Sequence, residues 1–86
     1  MGFTSELVDE LDILTYYNLA SGQEGIKVHT STADQAVVEA AKRLYSKGLI
    51  TQSDGGYLTD LGREAAEHAQ NLLTILNSSS ELTTVA

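Results

Sequence analysis

The chain contains no cysteine. That excludes disulfide staples, a thiolate nucleophile and zinc–sulfur sites. It has five basic residues against twelve acidic ones, for a net charge of −7. A whole-molecule field of that sign repels nucleic acid, whose binders draw much of their affinity from neutralising phosphates. No apolar run approaches the length a membrane span needs. No basic region followed by an apolar stretch opens the chain, so no signal peptide is expected and the cytoplasm is the expected location. No internal repeat is visible.

What is present is one small domain's worth of chain. Leu, Ile, Val and Phe supply 22 of 86 residues, enough for a core and too many for wholesale disorder. Without staples, a core this size is marginal. The charge is uneven. Residues 1–26 carry five acids and no base, and residues 48–86 carry Arg63 against five acids. Only residues 27–47 are net positive, through Lys27, Lys42, Arg43 and Lys47.

Three helices are predicted. The first covers 4–19, with Thr4 as N-cap, Glu6 favourable to the helix dipole and Phe3 and Val8 at hydrophobic-staple positions. Leu7, Leu11 and Leu14 share one face. Ile13, Tyr16 and Tyr17 form a second stripe, covered either within the domain or by another subunit. The second helix covers 33–47, with a Thr32-to-Gln35 capping box. Its apolar face is Val37, Ala41 and Leu44, flanked by Val38 and Tyr45, and Gly48 is its left-handed terminator. The third covers about 60–77, capped by Thr59, with Leu61, Ala65, Ala69, Leu72, Leu73 and Leu76 as its buried stripe and Gly62 placed for close packing. Ile75 sits off that stripe.

Asp54-Gly55, between Leu49–Gln52 and Tyr57–Thr59, predicts a β-hairpin. Ile26–His29 is a short strand or an extended arm. The fold class is therefore mainly α with a small hairpin, α+β, with a domain at 1–77 and a tail at 78–86.

The segment Arg43–Ala69, with its Leu58-Thr59-Asp60-Leu61-Gly62-Arg63-Glu64 motif, resembles the recognition helix, wing and following helix of MarR- and PadR-like winged-helix regulators. In the motif Thr59 caps, Gly62 allows close approach, and Arg63 can reach the hairpin or nearby carboxylates. "FTSELVDELDILTYYNL", "QEGIKVH" and the C-terminal block also resemble a family of small gammaproteobacterial proteins whose members are often labelled DNA-binding or transcriptional regulators. The resemblance implies a reduced winged helix of three helices plus wing, acting as a dimer through its terminal helices. The departures are specific. Residues 29–33 leave no room for a support helix, the wing tip Ser53–Gly56 is acidic, and the second helix opens with Asp34, Gln35 and Glu39, where recognition helices read bases.

The candidate DNA contacts are Lys27, Lys42, Arg43 and Lys47. Their competing reading is a solvated face with a Glu39–Arg43 pair. The candidate dimer contacts are Ile13, Tyr16, Tyr17 and Ile75. Asp60, Glu64 and His68 recur at helical spacing but read as a solvated acidic face and not as a metal site. His29 and His68 belong to no recognisable catalytic arrangement, and Gly55-Gly56 is not a phosphate loop. No enzyme activity and no cofactor are expected. Two functions remain: a winged-helix DNA-binding regulator, or an acidic protein-interaction or dimerisation module on the same scaffold. Possible DNA, a homodimer or a protein partner follow from them.

Overall fold

Thr4 opens the first helix, α1 (Ser5–Thr15), by accepting a hydrogen bond from the Leu7 N–H at 3.1 Å. The computed structural model describes residues 2–21, 24–29, 31 and 33–78. The expected tail therefore lies outside the described residues, apart from Ser78.

α1 stops four residues short of the predicted end. The Thr15 hydroxyl donates to the Asp12 carbonyl at 2.6 Å, and the Tyr16 N–H bonds back to Ile13. Three carbonyls at and after this end are taken by side chains of the last helix. Gln70 donates to Leu14 and Tyr17, and Arg63 donates to Leu19. Polar groups freed at a helix end need such partners.

α2 (Gln35–Ser46) begins after Asp34, whose carboxylate accepts from the Ala36 N–H at 3.3 Å. Asp34 is thus the N-cap, and Thr32, expected in that role, lies outside the described residues. The C-terminus follows expectation. Gly48 has φ +79°, its N–H bonds to Tyr45, and the Leu49 N–H bonds to Leu44. Those two bonds make a complete Schellman motif.

Three short strands form one antiparallel sheet in the order β1-β3-β2: β1 (Ile26–Lys27), β2 (Ile50–Gln52) and β3 (Gly55–Leu58). The hairpin turn is Ser53-Asp54, one residue earlier than Asp54-Gly55. The glycines are needed inside β3 instead. A Cβ on Gly55 would sit 2.4 Å from the Ile26 carbonyl oxygen, and one on Gly56 would sit 2.4 Å from the Thr51 hydroxyl. The register slips between Ile50 and Gln52, and Thr51 bridges the gap by accepting from the Tyr57 N–H at 2.9 Å. This is a bulge with a left-handed glycine.

α3 (Asp60–Ser78) follows at once. The Thr59 hydroxyl accepts from the Gly62 N–H at 3.0 Å and donates to the Gly48 carbonyl at 2.6 Å, so one side chain caps α3 and ties it to the end of α2. Among the described residues no helix lies between β1 and α2, only a turn closed by Ala33 onto His29. The order of helices and strands is consistent with a reduced winged-helix-like layout. Among the described residues no helix is long and apolar enough to cross a membrane.

α1 packs against both α2 and α3. The core comprises Ile13 and Leu14 from α1, Tyr17 just beyond its end, Val28, then Val38, Ala40, Ala41 and Leu44 from α2, Ile50, and Ala66 and Ala69 from α3. Tyr45, expected on the buried face of α2, is half exposed. The buried line of α3 is Gly62, Ala66 and Ala69; Leu61, Leu72, Leu73 and Leu76, expected there, are exposed. Small residues let α3 lie close to its neighbours. A Cβ on Gly62 would fall 1.7 Å from the Leu49 carbonyl oxygen.

Candidate interaction surface

Every one of the five basic side chains meets an oxygen of the chain itself. Arg43 Nε donates to Glu10 Oε2 at 2.7 Å, and Lys47 Nζ donates to Glu10 Oε1 at 2.5 Å. Arg43 also donates to the Glu6 carbonyl at 3.1 Å. Lys42 pairs with Glu39 at 3.3 Å, and Lys27 pairs with Asp54 at 2.9 Å. Arg63 reaches the Leu19 carbonyl instead of the hairpin or a carboxylate.

The four candidate DNA contacts are accordingly divided. Arg43 and Lys47 are drawn onto α1, Lys42 onto its own helix, and Lys27 onto the hairpin. The expected Glu39–Arg43 pair is replaced by Glu39–Lys42, because Glu10 offers Arg43 a less hydrated partner. Glu10 is only 5% exposed. Burial alone would raise its carboxyl, but the hydrogen bonds and charges of Lys47 and Arg43 outweigh that and hold it below the usual 4.5. In the same way Arg43 is raised by its bond to Glu10. At the hairpin, the hydrogen bond from Lys27 lowers Asp54. The sequence offered no signal for Glu10, which lies 33 residues from Arg43.

The candidate dimer contacts also divide. Ile13 is fully buried and Tyr17 is 4% exposed, so neither is available to a partner. Their stripe is the core face of α1, because α1 is covered by α2 on one side and α3 on the other. Tyr17 is held there by a hydrogen bond from its hydroxyl to the Gly56 carbonyl at 3.2 Å. Burial pushes its phenol up to about 12. Tyr16 and Ile75 remain on the surface, 59% and 60% exposed.

The open apolar surface lies elsewhere. After Ala69, α3 continues for nine residues beyond its last buried position. Leu72, Leu73 and Leu76 there face Phe3, Val8 and Leu11 of the opening of the chain and α1. Together they line a groove of about 250 Å³ in which Asp12 is the one charged residue. A second groove of about 220 Å³ is lined by Phe3, Leu7, Leu11, Leu14, Leu44 and Leu49, beside Glu10 and Lys47. Phe3 and Leu11 belong to both, so the two grooves form one continuous apolar area. Such an area is unusual on an isolated domain and commonly marks an interface.

Asp60, Glu64 and His68 are exposed along α3. Among the described residues, no group of three or more metal-ligating side chains comes together.

No curated protein and no solved structure matches the chain. Residues 1–77, which include all the elements above except the last residue of α3, match a family of unknown function (DUF5669), and the chain belongs to that family.

Proposed function

We propose that this protein is a non-enzymatic interaction module that self-associates through the apolar surface formed by α1 and the C-terminal half of α3. The observation that carries this reading is the groove between Phe3, Val8 and Leu11 on one side and Leu72, Leu73 and Leu76 on the other. In a single chain these side chains stay partly in water, and each forgoes a share of the roughly 1.5–3 kcal/mol that full burial of a large apolar group provides.

The electrostatics support the same reading. With all five cations engaged by the chain's own oxygens, a phosphate would have to compete with Glu10, Glu39 and Asp54. A DNA-binding role, the other function compatible with a winged-helix-like layout, would need those pairs broken.

Light scattering on a sizing column, run beside DNA retention at low and high salt, tests the choice. A two-chain mass with no salt-sensitive retention is the expected result. A one-chain mass at tens of micromolar, with retention that Lys42→Glu plus Lys47→Glu abolishes, would replace this reading with the DNA-binding one.

A further inference from the structure

The groove between α1 and α3 discriminates among occupants first by their backbone. Its lining comes from Phe3, α1 and α3, and no strand residue contributes. The walls are therefore helix sides, whose N–H and C=O groups are already bonded within their own turns. An extended segment laid there would lose water from its backbone and find no partners for it. A helix arrives with its backbone satisfied, and it is the form of chain this groove admits.

The dimensions agree. From Ala69 to Leu76 the groove follows α3 for seven positions, about 10 Å at the rise of an α-helix. Apolar side chains at i, i+4 and i+7 of an occupant cover the same length. Phe3 and Leu11 carry the apolar surface on toward Leu44 and Leu49.

Charge discriminates further. Asp12 is exposed at the groove, and among the described residues no cation stands within ion-pair distance of it. Exposed Asp60, Glu64 and Glu67 are equally uncompensated there. Glu10, beside the continuation of the groove, is by contrast already held by two cations. A second copy meets the apolar demand but not the electrostatic one. Each of its five basic side chains is engaged by its own chain's oxygens, and it brings a further net charge of −7. The occupant that complements both features is a helix with an apolar face flanked by cations.

We propose that the groove exchanges its second copy for a basic amphipathic helix of another protein. The inference rests on the self-association reading for its surface and goes beyond it in naming a second, better-matched occupant. The apolar row of the incoming helix covers Leu72, Leu73 and Leu76, its flanking cations meet Asp12, and the two acidic copies separate. Matching of this kind speeds encounter and weakens with salt.

The test uses two fluorescent peptides of about 15 residues, long enough to hold a helix on docking. Both carry leucines at i, i+4 and i+7; the flanking positions are lysine in one and glutamate in the other. Sedimentation equilibrium of the full chain with each peptide reports mass and bound fraction together. The lysine peptide is expected to bind and to convert the two-chain mass to one chain plus one peptide. The glutamate peptide is expected to bind roughly tenfold more weakly or worse. Asp12→Asn is expected to weaken the lysine peptide roughly threefold at low salt, the scale of an exposed ion pair. Leu72→Ser with Leu76→Ser, which leaves the charge unchanged, is expected to weaken it roughly tenfold or more. Equal binding of the two peptides, or lysine-peptide binding that the double serine variant leaves unchanged, would overturn the inference. A two-chain mass that takes up peptide without dissociating would overturn it as well. A two-chain wild type that binds neither peptide would overturn it and leave self-association standing. A one-chain wild type that binds the lysine peptide through these leucines would overturn self-association and keep the basic occupant.

Discussion

Arg43 and Glu10 join α2 to α1 through a 2.7 Å hydrogen bond, and Lys47 closes on the other oxygen of the same carboxylate. The most nearly buried charge among the described residues is thus shared between two cations that the sequence presents as a solvent-facing basic cluster. The arrangement explains how α1 is oriented, and it also withdraws Arg43 and Lys47 from any external anion.

Glu10→Gln should lower stability at neutral pH by about 1–2 kcal/mol, the range for a hydrogen bond to a charged group whose partners are partly exposed. The pH dependence has a definite sign. The carboxyl is depressed in the folded state, so its contribution is complete above the unfolded value near 4.5 and is lost as pH falls through the folded value. Urea unfolding midpoints at neutral and acid pH should therefore differ less in the variant than in the wild type. Equal acid sensitivity in the two proteins would show that the Glu10 pair does not stabilise the fold.

Gly62→Ala sets two effects against each other. At an open helical position the change favours the helix by about 1 kcal/mol. Here the added methyl would fall 1.7 Å from the Leu49 carbonyl oxygen, with backbone on the receiving side. Moving α3 away from β2 should cost more than the propensity gain, for a net loss of about 2 kcal/mol or more. A raised thermal midpoint would mean that α3 does not approach Leu49 so closely.

Tyr17 gives an alkaline signature. Its phenol is pushed from 10.0 up to about 12 by burial. A group raised on folding stabilises the fold below its unfolded value and loses that contribution as pH climbs toward the folded one, so stability should fall between pH 10 and 12. Ultraviolet titration should reveal a phenolate appearing late, together with loss of helical signal. The late step should vanish in Tyr17→Phe, and its persistence there would assign it to another tyrosine.

Much of this architecture was legible in the sequence because it depends on local chemistry. Thr4, Gly48 and Thr59 act within a few residues, and their caps formed as read. The hairpin was legible too, but its turn was placed one residue late, because the demand for glycine at 55 and 56 comes from Ile26 and Thr51 across the sheet. Ile13 and Tyr17 illustrate the larger difficulty. A helix packed on two sides carries two apolar stripes, and periodicity alone does not say which is inside. The same ambiguity placed Leu72 and Leu76 in the core, whereas the core ends at Ala69. Glu10 was illegible for a different reason: its partners come from another helix.

The central claim, self-association through the open apolar surface, is tested most directly by sedimentation equilibrium of the wild type beside Leu76→Glu at tens of micromolar. Leu76 lines the groove and is 60% exposed, so the substitution should leave the fold intact. The wild type should sediment with the mass of two chains and the variant with the mass of one. A wild-type mass of one chain, or a two-chain mass that Leu76→Glu does not change, would contradict the account.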